Sequence, residues 1–371
     1  MKNITEAGDL RGKRVLVRTS LNVPVADGMV TNAYRLKRAL PTLRYLAEQG
    51  AKVIIIGHIG RKPEESLRPV FTELNKFLPM HFGGMITSQE FADRAALMAN
   101  GDILMAENIR QDSREEDNDE VFAAQIAEHG DIYVNDAFDN IHREHTSMVA
   151  LAKLLPAYAG LNVIEETREL KKVMTPRHPS LFLLGGAKFE TKMPLVEKYL
   201  GVYDHVFIAG ALMNDIFKAK GFEVGQSLVS DVSLVGASFI SSEKLILPID
   251  VVVEGPRGVF TKATHEVQPD EKIMDCGQAT TDMLAEYIAE AKTILWNGPF
   301  GNYERGFTAS TEQTMHRLAE AKAFSVVGGG DTVASIEKLG LNDKLGFVST
   351  GGGAMLTYLE HGSTVSLDLL N

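Results

Sequence analysis

Hydrophobic positions along this chain follow two alternating rhythms. Short, continuous apolar runs rich in β-branched residues recur at residues 14–18, 52–56, 102–105 and 131–134. A second set follows at residues 180–184, 205–208, 293–296, 324–327 and 346–349. Runs without polar alternation mark strands buried on both faces of a parallel sheet. Helical periodicity lies between them: Leu36, Leu40, Leu43 and Ala47 recur at three- and four-residue spacing, and Gly50 supplies the stop. Residues 114–129 are acidic at the start and end at Gly130, which suits one helix with its dipole and cap satisfied. Residues 280–291 and 308–323 carry similar stripes. Strands alternating with helices predict parallel sheets covered on both faces. The two sets of strands meet around residues 155–179, where EETRELKKVM reads as a polar, exposed connecting helix.

Composition narrows the class. A chain of 371 residues exceeds one ordinary core and fits two domains. Its longest apolar runs are far shorter than a membrane span, and its first residues contain no apolar signal-peptide core. The single cysteine, Cys276, excludes an internal disulfide and fits a reducing compartment, so a cytoplasmic address is expected. A formal charge of −11 repels nucleic acid, so any anion site must be a local basic cluster.

Such a cluster stands where ligands bind in open parallel sheets, beyond the carboxyl ends of the strands. In the first half the strand tips carry Arg18 with Ser20 and Asn22, then His58 and Arg61, then Arg110, then His142 and Arg143. Arginine at several tips of one sheet predicts a phosphate or carboxylate pocket, because its planar fork gives paired charge-assisted hydrogen bonds. In the second half the tips are glycine-rich: Gly185-Gly186, Gly210, Gly298, Gly328-Gly329-Gly330 and Gly351-Gly352-Gly353. Glycine admits close backbone approach, and a following helix N-terminus offers N–H groups to phosphate. No Gly-x-x-x-x-Gly-Lys-Ser/Thr signature is present, which excludes a P-loop nucleotidase, and no dinucleotide fingerprint follows a first strand.

In this order the tips resemble the signatures of the phosphoglycerate kinase family. The matching segments are VRTSLNVP, GHIGR, ENIR, DAF…HR, LLGGAKFETK, VGQSL, LWNGPFGNYE, GGGDT and STGGGA, which together span nearly the whole chain. The resemblance implies two doubly wound, Rossmann-like α/β domains joined by an interdomain helix, with the hinge bending of that kinase. It implies an N-terminal substrate domain over residues 1–158, a connector over 159–178, a nucleotide domain over 179–355 and a tail over 356–371 returning to the first domain. The implied activity is reversible phosphoryl transfer between ATP and 3-phosphoglycerate, giving ADP and 1,3-bisphosphoglycerate, with Mg²⁺ carried on the nucleotide. Ser20, Asn22, Arg35, His58, Arg61, Arg110 and Arg143 match the acceptor pocket, and Arg35 and Lys188 the groups flanking the phosphoryl in flight. Gly185, Lys188, Lys192, Gly210, Asn297, Glu304, Gly328, Gly329, Gly330, Asp331 and Thr332 match nucleotide contacts, with Asp331 beside the metal. Gly351, Gly352 and Gly353 match N–H donors to the transferring group. The family implies a monomer with no nucleic-acid or membrane partner.

The chain departs from the family pattern at several pocket positions. Ser20 replaces an aspartate, Asp139-Asn140-Ile141 replace Gly-Thr-Ala, Gln111 replaces an aromatic residue and Lys62 a proline, while Ala209 and Ala211 thin a glycine cluster. Asp139 carries the most consequence: a carboxylate about 6 Å from a bound phosphate, at an effective dielectric of about 20, opposes it by about 3 kcal/mol. Pairing of Asp139 with Arg143 or Arg110, or an outward orientation, would leave the acceptor unchanged. An unpaired Asp139 would favour a kinase acting on a different small anion. An inactive nucleotide-binding homologue is the remaining alternative.

Overall fold

The computed structural model describes residues 1–371 except Lys188, Ser233 and Val235, and of Glu190 and Thr191 only the backbone. The chain divides into two compact units, Met1–Arg168 with His361–Asn371, and Glu169–Glu360. Among the described residues no helix is long and apolar enough to cross a membrane.

The first unit holds β1 (Arg14–Thr19), the short hairpin β2 (Val25–Ala26) and β3 (Met29–Val30), then β4 (Lys52–Ile56), β5 (His81–Gly84), β6 (Ile103–Ala106), β7 (Ile132–Asp136) and β8 (Ala157–Ala159). Six of these form a parallel sheet in the order β5-β6-β4-β1-β7-β8. Helices α1 (Tyr34–Glu48), α2 (Arg68–Leu74), α3 (Gln89–Ala96), α4 (Glu120–Ala127) and α5 (Ala150–Leu154) accompany it, and α6 (Leu161–Met174) leads into the second unit. The apolar stripe of α1 packs Leu36, Leu40, Leu43 and Leu46 against Val15, Val17, Val53, Ile55 and Val134 of the sheet. Each such fully buried aliphatic side chain contributes about 1.5–3 kcal/mol. Gly50 closes α1 with a left-handed φ of +75°.

The second unit builds β9 (Ser180–Leu184), α7 (Phe189–Leu200), β10 (His205–Ile208), α8 (Ala211–Ala219) and β11 (Leu245–Ile246). A separate antiparallel sheet, β12 (Asp250–Gly255), β13 (Gly258–Ala263) and β14 (Lys272–Cys276), follows in the order β13-β12-β14. The parallel sheet then resumes through α9 (Gln278–Glu290), β15 (Thr293–Asn297), α10 (Ala309–Glu320), β16 (Phe324–Gly328), α11 (Gly330–Lys338), β17 (Phe347–Val348) and α12 (Gly353–His361), with order β11-β10-β9-β15-β16-β17. The closing α13 (Val365–Asp368) belongs to the first unit, where the Lys2 N–H donates to the Leu370 carbonyl at 2.6 Å.

Both sheets are wound outward from a central strand in one direction and then in the other. The reversal falls between β1 and β7 in the first unit and between β9 and β15 in the second, and such switch points open the crevice in which ligands bind. The two-domain parallel α/β class expected from the apolar runs is what the chain adopts.

Three expectations need correction. The single helix over residues 114–129 is instead a 3₁₀ turn at Ser113–Glu115 followed by α4. Asn118 takes a left-handed φ of +53°, and the Asp119 carboxylate accepts the Phe122 N–H at 2.6 Å, so capping restarts the helix there. The connecting helix α6 is polar but exposed on only one face, with Arg168, Lys171 and Lys172 outside, since Asn162, Glu166 and Glu169 are buried alongside Val163 and Leu170. The β12–β14 sheet escapes a search for continuous apolar runs, because β12 alternates buried Val251 and Val253 with half-exposed neighbours.

Candidate functional site

Register levels the carboxyl ends of the first sheet: Arg18 lies opposite Ile56, Thr19 opposite Asp136 and Ile55 opposite Met105. The loops that follow β1, β4, β6 and β7 therefore share one edge. Arg18, expected among the ligand-facing arginines, is instead fully buried and engaged. Its Nε donates to Ser147 Oγ at 2.9 Å, Nη1 to the Thr19 carbonyl at 2.7 Å, and Nη2 to His58 Nδ1 at 2.8 Å. It is a structural cation, placed inside by the strand register that carries it.

That buried charge sets the electrostatics of the edge. Burial and then the neighbouring Arg18 and Arg110 push the His58 imidazole far below its ordinary value, so it is neutral. His145 is lowered to about 4 by burial, Arg110 and Arg143, and His142 is lowered by burial and Arg143. Burial leads each of these three shifts, and the neighbouring arginines add to it, so the edge carries local positive charge on an acidic protein.

The loop after β4 is braced from three sides. Asn108 donates to the Ile59 and Glu65 carbonyls at 3.0 and 2.8 Å and accepts the Ile59 and Arg110 N–H groups. Glu65 accepts the Arg61 and Lys62 N–H groups, each at 2.7 Å, and its carboxyl is held below the usual range by these bonds. Asn22 Oδ1 accepts the Gly60 N–H at 3.0 Å, and Arg110 Nη1 donates to the Gly60 carbonyl at 2.8 Å. Gln111 joins the brace by donating to the Glu65 carbonyl at 3.1 Å. Arg110 is thus partly committed, with Nε 3.3 Å from Glu116. Arg61 and Arg143 are exposed, and among the described residues their guanidiniums make no hydrogen bond or ion pair. Arg35 is half-buried, with Nη1 donating to the Asn22 carbonyl at 2.8 Å.

Asp139 neither pairs with Arg143 or Arg110 nor points outward. The Ser20 hydroxyl and, at 2.7 Å, the Asn140 amide donate to its Oδ1, while Oδ2 lies 3.8 Å from Arg35 Nη1. The two departures at 20 and 139 therefore meet each other. Ile141 is fully buried as a core residue.

The second edge is built from backbone. Leu184 lies opposite both Ile208 and Asn297, and Asn297 opposite Gly328, so these tips are level. The Gly185 N–H donates to the Asn297 carbonyl at 2.9 Å, the Gly186 N–H to Pro299 at 2.7 Å and the Gly210 N–H to Phe300 at 3.0 Å. A Cβ on Gly185 would lie 2.2 Å from the Pro299 carbonyl, which explains why the tip is glycine. Lys192, buried, donates its ammonium to the Gly185 carbonyl. Beside these tips α11 begins at Gly330, with Gly329 at a φ of +111°, and α12 begins at Gly353. A Cβ on Gly330, Gly352 or Gly353 would meet nothing, so open space fronts both helix starts. The Gly351 N–H donates to Ser349 Oγ at 3.1 Å, so it is already committed. Among the described residues, Asn297 Nδ2 and Thr332 Oγ1 are buried here without a hydrogen-bond partner.

A cavity of about 520 Å³ adjoins this edge and is lined by Gly210, Glu304 and Asp331 among the expected contacts, with Gly186 of the first glycine tip. Its size suits a nucleotide-sized ligand. Asn214, Ser227, Lys272, Met274 and Tyr303 also line it and were not among the expected contacts. The VGQSL segment points to Ser227, but nothing in the sequence brings β14, with Lys272 and Met274, to this place. Gly185, Asn297, Gly328 and Gly329 lie at the strand tips beside the cavity, and Lys192 of α7 and Gly330 and Thr332 of α11 stand next to them, none of them lining it. Lys188 lies outside the described residues. Among the described residues no group of three or more His, Cys, Asp or Glu side chains could hold a metal by itself. Asp331, in the first turn of α11, fits a cation whose other ligands come from nucleotide phosphates.

The phosphoglycerate kinase family profile matches residues 4–362. The chain is 41% identical over 369 residues to the phosphoglycerate kinase of Rubrobacter xylanophilus, covering 95% of this chain and 94% of that one. Its fold superposes on the phosphoglycerate kinase of Coxiella burnetii with a TM-score of 0.83 at 33% identity. The corresponding values for the enzyme of Pyrococcus horikoshii are 0.87 and 28%. In both structural matches the alignment covers 100% of this chain and 98% of the other.

Proposed function

The chain belongs to the phosphoglycerate kinase family, and on that premise we propose how its own residues divide the work of the reaction. The activity is reversible phosphoryl transfer between ATP and the carboxyl group of 3-phosphoglycerate. The observation that carries the division of labour is the contrast between the two edges: cationic side chains on one sheet, glycine-framed backbone on the other.

In this reading the first unit binds the acceptor. Arg61 and Arg143, whose guanidiniums have no partner among the described residues, take its phosphate, and Arg110 and neutral His58 complete the cradle. Arg35, restrained at one nitrogen, meets the reacting carboxylate. The second unit binds the nucleotide in the cavity beside β9, β10 and β15, with Lys192, Asn297, Glu304 and Thr332 as contacts and the N-terminus of α11 toward its phosphates. Asp331 would hold the Mg²⁺, whose chemistry is to neutralise charge on the phosphate oxygens. Lys188 and the N–H groups of Gly352 and Gly353 stabilise the transferring phosphoryl. Phosphoryl transfer needs positioning and charge neutralisation, not a covalent intermediate on the protein. We read the protein as a cytosolic monomer, in keeping with its family and its net charge of −11, which also disfavours nucleic acid.

A coupled assay with ATP, Mg²⁺ and 3-phosphoglycerate tests the assignment through Arg35→Ala and Lys188→Ala. Loss of one donor to developing charge lowers kcat by about 10²–10³. Turnover at the wild-type rate in either variant would overturn that residue's role.

A further inference from the structure

Asp139 puts a negative charge into an edge built for anions, and its surroundings show what that charge does. Its side chain is 7% exposed, so its charge is little screened by water. Ser20 and Asn140 both donate to Oδ1, which fixes the carboxylate and turns Oδ2 toward Arg35 at 3.8 Å. Arg35 Nη1 is therefore held between two acceptors, the Asn22 carbonyl at 2.8 Å and Asp139 Oδ2. Among the described residues its Nε and Nη2 make no hydrogen bond, and the side chain remains 28% exposed. A long, flexible arginine gripped at one nitrogen and open at the other two is oriented before any ligand arrives. Placement of that kind matters, because a misplacement of about 1 Å at a reacting centre lowers rate about a hundredfold.

We propose that Asp139, braced by Ser20 and Asn140, is a positioning residue for Arg35 that exchanges acceptor affinity for catalytic rate. The carboxylate opposes the bound acid, which weakens its binding. In return it holds the guanidinium where the transferring group develops charge. The inference rests on the reading of Arg35 as a catalytic group.

Steady-state kinetics of the full chain with ATP, Mg²⁺ and 3-phosphoglycerate decide it. Asp139→Asn keeps an acceptor oxygen for Ser20 and removes the charge beside Arg35. Its KM for the acceptor falls by up to about a hundredfold, its kcat falls about tenfold or more, and its KM for ATP stays unchanged. Asp139→Glu restores part of kcat. In an Arg35→Ala background, Asp139→Asn no longer lowers kcat, because the group it positions is gone. A tighter KM with unchanged kcat would reduce Asp139 to a repulsive charge and overturn the proposal. So would an equal loss of kcat with Arg35 present or absent. Wild-type turnover by Arg35→Ala alone would overturn the role of Arg35 and this inference with it. Should Asp139→Asn fail to fold, Ser20→Ala carries the kcat arm of the test, since it removes one of the two donors to Oδ1 and loosens the same carboxylate while leaving its charge in place.

Discussion

Asp136 ends β7 with a carboxyl group that is 1% exposed, and its titration gives a sharp test of the first unit's energetics. Its Oδ1 accepts the Asn162 N–H at 2.9 Å and lies 3.4 Å from the Val163 nitrogen, capping α6, while Oδ2 has no hydrogen-bond partner among the described residues. Burial raises its pKa from 3.8 to about 7, against the opposing pull of Thr42, the two N–H groups and Arg38. The folded state thus binds a proton that the unfolded chain has already released. Stability from this group is fully present below about pH 3.8 and is lost as pH rises toward 7, at about 1.4 kcal/mol per pH unit. Between pH 5 and pH 8 the loss amounts to about 2.5 kcal/mol. Asp136→Asn keeps the cap acceptor and removes the charge. Its amide nitrogen takes the unpartnered Oδ2 position at a penalty of about 1–3 kcal/mol, but that penalty is the same at both pH values. The variant should therefore gain about 2.5 kcal/mol on wild type between pH 5 and pH 8. Native-state hydrogen exchange of the β1 and β7 amides reads the first unit directly. The sole tryptophan, Trp296, is buried in the second unit, so its fluorescence during urea unfolding is the internal control. Parallel pH dependences for wild type and variant in β1 and β7 would refute the reasoning.

The remaining predictions concern the two edges. His145, lowered from 6.5 to about 4, contributes stability that is present above about pH 6.5 and is lost as pH falls toward 4. His145→Gln should flatten that acid-side loss by at most about 3 kcal/mol, measured by exchange at pH 7 and pH 4.5, and an unchanged slope would contradict it. Gly210→Ala would place a Cβ 2.4 Å from the Gly186 nitrogen at a φ of +64°. It should destabilise the second unit by about 1–3 kcal/mol and weaken nucleotide binding by calorimetry, and wild-type values in both would show that the edge can yield.

Local sequence carried much of this protein. Continuous β-branched runs placed nine parallel strands within one or two residues, because a strand buried on both faces tolerates almost nothing but apolar side chains, while the short edge strands β5, β8 and β11 carried no such signal. Strand order in the chain, with its tips of arginine or glycine, placed the candidate residues on two edges, since ligands meet parallel sheets at their carboxyl ends. Tertiary structure decided what each tip residue does. Arg18, Arg61 and Arg143 read alike in sequence, yet Arg18 is consumed by Ser147, Thr19 and His58 while the other two guanidiniums have no partner among the described residues. Ser20 and Asp139 are 119 positions apart and look like two unrelated departures, until adjacent β1 and β7 bring them into one hydrogen bond beside Arg35. The wall that β14 gives the 520 Å³ cavity was equally invisible, because a strand of a separate sheet says nothing in sequence about where that sheet packs. Periodicity records which face of an element is buried. Which donors and acceptors remain unspent is settled only when distant segments come into contact.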